Sequence, residues 1–157
     1  MSARWLRAAT AMLALVGAGI AGYLTYVHYA GLQPFCVGGG GGCERVQSSH
    51  WSELGGIPVA VLGLAGYVAI LGSLALPEEL GRSAAALLAL VGVGFSGWLT
   101  YVELAKIHAV CQWCVASAVV MALLAIVSVW RLLLVDGAEA YSRPPVRGSR
   151  APANGGH

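Results

Sequence analysis

The chain has 157 residues, of which 58% are hydrophobic and only 10% are charged, and its formal net charge is +2. This composition, with a mean hydropathy of +0.75, excludes an ordinary soluble domain and a disordered chain. The sequence also has no basic patch that would indicate nucleic-acid binding. We therefore expect a protein of the lipid bilayer.

Four apolar runs without charged residues make up most of the chain, namely residues 8–27, 58–76, 83–102 and 110–130. Each is close to the ~20 residues with which a helix crosses about 30 Å of hydrocarbon. A helix also satisfies its own backbone hydrogen bonds in lipid. The sequence therefore predicts an all-α integral membrane protein with a bundle of four transmembrane helices. The first run could also be a signal peptide, because two arginines precede it, but no clear small-residue cleavage site ends it.

Two of these runs are copies of one sequence. Residues 13–27 and 88–102 share eleven identities in fifteen positions at an offset of 75, and the same offset relates Cys36 to Cys111. The pattern predicts a two-helix unit repeated in parallel, which also favours a retained first helix over a signal peptide. Small residues at near-helical spacing indicate close helix packing in each copy, at Gly17, Gly19 and Gly22 and at Gly92, Gly94 and Gly97.

The longest connection, about residues 30–56, joins the first two predicted helices as a large outer loop. Its first part contains the glycine run Gly38–Gly42, which has little backbone stiffness and predicts a mobile segment. Its second part, residues 45–54, mixes apolar and polar side chains, which predicts a short amphipathic helix on the membrane surface. Trp51 would anchor that helix at the interface.

The four cysteines form two pairs in the sequence. Cys111-Gln112-Trp113-Cys114 stands where the fourth helix begins, and a helix N-terminus favours the thiolate over the thiol. Two thiols at this spacing are typical of an exchanging disulfide. Cys36 and Cys43 flank Val37 and the glycine run, so they too can pair and move.

Four cysteines could also serve in a zinc site or in two structural disulfides. A zinc site could include imidazoles from His28, His50 and His108, but the six residues between Cys36 and Cys43 exceed the two to four of a rigid zinc knuckle. Two purely structural disulfides would add little to a helical bundle in a membrane. We expect no metal.

The basic residues are unevenly distributed across the predicted spans. In a four-span arrangement only Arg45 and Lys106 fall on one side, and seven arginines fall on the other, namely Arg4, Arg7, Arg82, Arg131, Arg143, Arg147 and Arg150. The positive-inside tendency then predicts cytoplasmic termini and four cysteines outside, where disulfides persist. The sequence further divides into a transmembrane domain over residues 1–135 and a disordered cytoplasmic tail over residues 136–157.

The combined motifs resemble the vitamin K epoxide reductase family. They are the loop cysteines Cys36 and Cys43, the Val-x-Ser-Ser-x-Trp pattern of residues 46–51, the Gly-Ile-Pro of residues 56–58, and the Cys-x-x-Cys that opens the fourth helix. The resemblance implies a four-helix bundle around a quinone. Cys114 would lie nearest the quinone, Cys111 would receive electrons from Cys36 and Cys43, and Ser49 would belong to the quinone site.

The resemblance also implies a reaction and its partners. Bacterial members resemble disulfide-generating enzymes of the inner membrane that serve a thioredoxin-fold oxidase. We expect that partner to be a separate extracytoplasmic protein, because no such domain follows in this sequence, and we expect menaquinone or ubiquinone as the electron acceptor. Electrons would pass from the partner to the Cys36–Cys43 disulfide, then by attack of Cys43 on Cys111 to Cys114 and the quinone.

The sequence departs from the animal members of the family at one place. Their Thr-Tyr-Ala motif is replaced by residues 117–119, Ser-Ala-Val, so the tyrosine hydroxyl offered to the quinone is missing, which argues against vitamin K epoxide reduction. The unrelated four-helix disulfide oxidase of the bacterial periplasm places its Cys-x-x-Cys in the first outer loop, the reverse of the order here. A metal-handling Cys/His membrane protein and a structural bundle remain as alternatives from other classes.

Overall fold

The computed structural model of the protein describes residues 3–36 and 41–142. Its helices are α1 (Ala3–Tyr29), α2 (Gly42–Gln47), α3 (Val59–Ser73), α4 (Glu78–Val102) and α5 (Gln112–Ser142). Between them lie a 3₁₀ turn (His50–Ser52), a π-helical turn (Glu103–Ile107) and the two-residue strands β1 (Glu53–Leu54) and β2 (Ile57–Pro58). The fold is therefore mainly helical, as predicted.

The four longer helices form a ring in which each contacts two others. Helix α1 packs against α3 and α5, and α4 packs against the same two helices. Both copies of the predicted repeat lie within helices, residues 13–27 in α1 and residues 88–102 in α4. The core between the helices consists mostly of small and apolar side chains, namely Ala14, Ala21, Tyr67, Ile70, Ala89, Met121, Leu124 and Ala125.

The outer surface of the ring is apolar. Leu15, Leu87, Val91, Val119 and Ile126 each have more than half of their surface exposed. An exposed apolar surface of this kind is suited to contact with lipid. Three helical segments are long and apolar enough to cross a membrane, at Arg4–Tyr29, Glu78–Ile107 and Gln112–Leu134. The chain is therefore a multi-pass membrane protein.

The predicted second span is shorter than expected. The sequence predicted a helix over residues 58–76, whereas α3 has 15 residues, Val59–Ser73, or about 22 Å of helical rise. Its start is shortened because Pro58 belongs to β2. At its end, the N–H groups of Leu74 and Ala75 each bond to a carbonyl three residues back, which tightens the chain into a turn. The count of four spans stays a prediction.

The prediction of a single amphipathic helix over residues 45–54 is wrong. Helix α2 ends at Gln47, because the next two side chains bond back to the helix they would have continued. Ser48 Oγ donates to the carbonyl of Glu44, and Ser49 Oγ donates to the carbonyl of Val46, each at 2.7 Å. Such local bonds compete with helical hydrogen bonding.

A tight hairpin follows instead of a continued helix. Strands β1 and β2 pair in antiparallel fashion, with Leu54 opposite Ile57. The two residues between them, Gly55 and Gly56, have φ angles of 61° and 83°, as a type I′ turn requires. After α4, the π-helical turn continues the helical path to Ile107.

The end of the bundle opposite the cysteines is closed by charged side chains. Glu78 pairs with both Arg7 and the buried Arg131, and Arg7 Nη2 donates to the carbonyl of Leu74 at 2.7 Å. These contacts connect the start of α1, the start of α4 and the later part of α5.

Helix α5 extends beyond the predicted transmembrane domain. It continues through residues 136–142, which the sequence analysis assigned to the disordered tail. The rest of that tail, residues 143–157, lies outside the described residues, so the division of the chain into domain and tail stays a prediction.

Candidate functional site

All four cysteines meet at one end of the bundle. Cys43 and Cys111 are buried together with Val46, and Cys36 and Cys114 pack against that cluster. Cys36 and Cys43 form a disulfide with a Cα–Cα distance of 6.5 Å, whereas Cys111 and Cys114 are free thiols. The structure thus brings together the four cysteines that the sequence singled out.

Gly42 allows the loop to approach the second cysteine pair. A Cβ atom at this position would lie 2.7 Å from the carbonyl oxygen of Val110, the residue before Cys111. Gly42 is thus a packing glycine, and the preceding Gly41 turns the chain into α2 with a φ of 61°. Residues 37–40 of the segment predicted to be mobile lie outside the described residues.

The residue before Cys36 is fixed between two helices. The Phe35 N–H donates to the hydroxyl of Tyr23 in α1 at 3.0 Å, and the Phe35 carbonyl accepts from Trp113 Nε1 in α5 at 2.8 Å. The rings of Tyr23 and Trp113 also contact each other, with centroids 5.0 Å apart. Cys36 is therefore held close to the start of α5, and sequence analysis did not foresee this anchor.

Cys111 occupies the N-cap position of α5. Its carbonyl accepts from the Val115 N–H at 3.0 Å, and its sulfur accepts from the backbone N–H groups of Trp113 and Cys114. The pKa of Cys111 is lowered to about 7, chiefly because the Cys114 thiol hydrogen-bonds to its sulfur and also because of these backbone donors. Burial and the negative charge of Glu103 oppose the shift. Cys111 is therefore the thiolate of the reduced pair.

We expect this lowered pKa to be visible in a titration. In a Cys36→Ser/Cys43→Ser background, the ultraviolet absorbance of the thiolate should rise with a midpoint near pH 7, the pKa of Cys111, rather than near the ordinary value of about 8.5. Below the midpoint Cys111 binds a proton and exchange should slow. Adding Cys114→Ala should raise the midpoint, because the thiol donor is lost. A midpoint near the ordinary value with Cys114 present would contradict the assignment.

A cavity of about 360 Å³ adjoins the cysteine cluster. It lies between α1, α3, α4 and α5 and is covered by residues of the outer loop, including Val46 and Trp51. Cys114 lines this cavity, whereas the other three cysteines do not. The size and mostly apolar lining suit a small organic molecule. Of the four sulfurs, Cys114 is therefore the one placed to react with such a molecule.

Ser49 lines the same cavity as Cys114. Its hydroxyl donates to the Val46 carbonyl at 2.7 Å, so its proton is already used and it presents only acceptor lone pairs to the cavity in this conformation. The assigned role of Ser49 at a quinone site stays a prediction.

Tyr67 brings a second hydroxyl to the cavity. Its side chain is fully buried, and its hydroxyl lies 2.9 Å from both the carbonyl oxygen and the hydroxyl of Ser117. Ser117 is the first of the three residues that replace the Thr-Tyr-Ala motif of the animal family members. Tyr67 of α3 therefore supplies a tyrosine hydroxyl near the position of that motif. Sequence analysis missed Tyr67, although a tyrosine inside a charge-free apolar run was an available signal.

Glu103 is the other residue that sequence analysis passed over. Only 5% of its surface is exposed, and its Oε2 accepts from the Cys111 N–H at 3.3 Å. No second carboxylate lies near it in the sequence to suggest an acid–base pair. A charged residue at the end of an apolar run, eight positions before a Cys-x-x-Cys, was the signal that could have identified it.

The histidines considered as metal ligands are in separate places. His28 lies 3.4 Å from Glu53, His50 contacts the ring of Trp51, and His108 is exposed at the end of the π-helical turn. Within residues 3–36 and 41–142, no three His, Cys, Asp or Glu side chains are grouped as a metal ion would require.

Comparison with known protein families accounts for this arrangement of cysteines. The sequence model of the Vitamin K epoxide reductase family matches residues 8–129, which is most of the chain. The chain belongs to this family. Membership in the vitamin K epoxide reductase family confirms the resemblance drawn from the motifs and makes the protein an oxidoreductase that acts on thiols. The family is associated with quinones in general.

Proposed function

We propose that this vitamin K epoxide reductase family member is a quinone-dependent thiol–disulfide oxidoreductase that supports disulfide formation. Electrons enter at Cys36 and Cys43 from a separate, reduced thioredoxin-fold protein and leave from Cys111 and Cys114 to menaquinone or ubiquinone. One observation carries the proposal: the four cysteines form one cluster, and among them Cys114 lines the cavity. A disulfide beside a dithiol and a cavity is the arrangement that such a relay needs.

The exposure of the two loop cysteines supports their order in the relay. Cys43 is 3% exposed and packs with Cys111, whereas Cys36 is partly exposed. The partner's thiolate therefore attacks the outer sulfur, Cys36, and releases the Cys43 thiolate. Cys43 then attacks Cys111 of the Cys111–Cys114 disulfide, and Cys114 leaves as the thiolate. The second thiol of the partner attacks the partner sulfur that is bound to Cys36, which releases the oxidised partner and the Cys36 thiolate. Finally Cys36 attacks Cys43, re-forms the loop disulfide and releases Cys111.

The oxidation states in the structure fit one stage of this cycle. The loop pair is a disulfide and the inner pair is a dithiol, which is the state after electrons have passed inward. The lowered pKa of Cys111 then leaves a thiolate that is ready to close on Cys114.

The residues of the cavity fit a quinone ring. A bound quinone would accept two electrons from the inner cysteine pair. Apolar side chains such as Phe95 and Leu99 surround the space, and Tyr67 and Ser117 supply hydroxyl groups at one side. A mostly apolar pocket with a few polar groups is typical of a site for such a ligand.

The proposed orientation places the cysteines outside a bacterial inner membrane and both termini in the cytoplasm. Arg7 and Arg131, at the end of the bundle opposite the cysteines, agree with the positive-inside tendency. The short α3 would be the second of four spans, and adjacent turns and local thinning of the bilayer would complete its crossing.

A single-turnover assay tests the proposed function. The protein is reduced, freed of reductant and mixed with a short-chain quinone, and formation of the quinol is followed by absorbance. We expect about two quinols per wild-type protein, because reduction leaves both the loop pair and the inner pair as dithiols. The Cys36→Ser/Cys43→Ser variant should form about one quinol, because the inner pair is intact, but should lose turnover with a reduced thioredoxin-fold protein. Cys114→Ser should lose both.

Two outcomes would contradict the proposal. Full quinol formation by Cys114→Ser would show that the inner pair takes no part in the reaction. Absence of quinol with the reduced wild-type protein would show that a quinone is not the electron acceptor. Binding of zinc by the reduced protein at stoichiometric level, without quinol formation, would favour the metal-handling alternative.

A further inference from the structure

Glu103 is a buried carboxylate at the centre of the site. It lies at the end of α4, where the π-helical turn begins, and lines the cavity together with Cys114. One carboxylate oxygen accepts from the Cys111 N–H at 3.3 Å, and the carboxylate also hydrogen-bonds to the Cys114 thiol. Its own carbonyl accepts from the Ala109 N–H at 3.2 Å, which fixes the backbone around it. Glu103 thus contacts both members of the reactive pair.

The surroundings of Glu103 offer it thiols rather than cations. Among the described residues, no ion pair includes Glu103, and the titratable groups that face it are Cys111 and Cys114. Lys106 and His108 follow in the same segment but are exposed, and in α2, which packs against this segment, Arg45 and Glu44 are exposed while Cys43 is in its disulfide. A buried carboxylate that hydrogen-bonds to a thiol is placed to exchange a proton with it.

The proposed reaction requires such an exchange. When Cys111 is a thiolate and Cys114 a thiol, forming the Cys111–Cys114 bond releases two electrons and one proton. The quinone takes up two electrons and two protons to become the quinol. One proton must therefore move from Cys114 to the quinone, and a second must come from water. A base in contact with the Cys114 sulfur can accept this proton as the S–H bond breaks.

Resting on the proposed function, we propose that Glu103 is the proton carrier between Cys114 and the quinone. Its carboxylate takes the proton as the Cys114 S–H bond breaks and the S–S bond to Cys111 forms. The carboxylic acid then gives this proton to a quinone oxygen and returns to the carboxylate. No net proton remains on Glu103 after a turnover, so the second proton reaches the quinone from water.

A simpler role for Glu103 must be separated from this one. Its bond to the Cys111 N–H also serves the start of α5, since that N–H would otherwise be buried without a partner. Glutamine keeps an acceptor oxygen of similar position but cannot carry the proton, whereas alanine removes both functions. A capping role therefore predicts that Glu103→Gln behaves like the wild type, and proton transfer predicts that it behaves like Glu103→Ala.

The test uses the full-length protein in detergent with a short-chain quinone. We expect the single-turnover rate of quinol formation at pH 7 to fall by about 10²-fold or more in Glu103→Gln, the scale for a lost general acid–base group. The fall should lessen as the pH rises, because Cys114 can then ionise without a base. Glu79→Gln is the matched control, since Glu79 is exposed near the opposite end of α4, and should keep the wild-type rate.

A second readout needs no quinone. The negative charge of Glu103 opposes ionisation of Cys111, so the thiolate titration of Cys111 should shift to lower pH in Glu103→Gln and stay unchanged in Glu79→Gln. A Glu103→Gln rate within about threefold of the wild type, or an unshifted Cys111 midpoint, would overturn the inference. If the wild type itself forms no quinol, the proposed function fails first; if the wild type does and Glu103→Gln matches it, only the role of Glu103 fails.

Discussion

The Cys114→Ser protein should accumulate a disulfide between Cys43 and Cys111. With Cys114 gone, the Cys111 thiolate attacks Cys43 of the loop disulfide and Cys36 leaves. No inner thiol remains to attack Cys111, so only Cys36 can release the bridge, until Cys36 is alkylated. Cys43 and Cys111 are buried in one cluster, so the two sulfurs need little movement to meet. Turnover with a reduced partner should fall by at least about 10³-fold, as for loss of a covalent nucleophile.

The measurement is a non-reducing proteolytic digest after quenching with an alkylating reagent, which blocks the released Cys36. Cys36→Ser should accumulate the same Cys43–Cys111 peptide, because the loop thiol that resolves it in the forward direction is missing, and Cys111→Ser should contain none. The assignment would be contradicted if Cys43 in Cys114→Ser were linked to Cys36 alone under every redox condition. Linkage of Cys36 rather than Cys43 to Cys111 would reverse the order of the loop cysteines.

The parts of the fold that could be predicted are those set by composition and repetition. Long runs without charge predict helices in lipid, because a single helix satisfies all of its own backbone hydrogen bonds there. Three of the four runs form helices that are long and apolar enough to cross a membrane. The offset of 75 was sufficient to assign both copies of the repeat to long helices, α1 and α4. The run at residues 58–76 predicted a helix that is too long. Apolar residues continue through Pro58 of β2 and through the turn after Ser73, but the backbone is not helical at either place.

The outer loop was harder to predict because single side chains determine its backbone conformation. Residues 45–54 have the polarity of an amphipathic helix, but the hydroxyls of Ser48 and Ser49 bond to α2 carbonyls and stop it. The glycines at 55 and 56 were interpreted as a break and not as a hairpin turn. A continuous amphipathic helix and a helix that is interrupted part-way show the same period of apolar and polar residues. This period alone therefore does not distinguish the two structures.

The cysteines of the site could be predicted because their chemistry and spacing are visible in the sequence. Tyr67 and Glu103 could not, because their roles depend on which neighbours the packing supplies. Tyr67 meets Ser117 fifty positions away, and Glu103 contacts Cys111 through a turn that the sequence indicated only as a connection. A lone carboxylate shows no pairing in sequence, yet thiols can be its partners in the folded protein.

The glycine repeat shows the same limit for helix packing. In a membrane both the core-facing and the lipid-facing sides of a helix are apolar, so neighbouring glycines cannot be assigned to a face from hydropathy. A Cβ on Gly17 would overlap the ring of Tyr67, and one on Gly92 would lie 2.6 Å from the sulfur of Met121. The other four glycines of the two copies have nothing within 4 Å of such an atom. Only the first glycine of each copy therefore has the predicted packing role.

Gly17→Ala should accordingly destabilise the protein, and Gly19→Ala should not. Tyr67 cannot move aside easily, because its side chain is fully buried and its hydroxyl is held at Ser117. Inserting a methyl group into such packing costs about 1–3 kcal/mol, and we expect the upper part of this range. At Gly19 the new methyl group meets open space, so the free energy of unfolding should stay within about 1 kcal/mol of the wild type.

Unfolding in mixed micelles of mild and denaturing detergent, followed by circular dichroism, gives both free energies. The effect should extend to the site, because Tyr67 lines the cavity and its displacement should weaken quinone binding in Gly17→Ala but not in Gly19→Ala. The second copy provides an independent pair, in which Gly92→Ala should be the costly change and Gly94→Ala the neutral one. Met121 is flexible, so the cost at Gly92 should be smaller than at Gly17. Equal stability of Gly17→Ala and Gly19→Ala would mean that Tyr67 does not pack on α1 at this position.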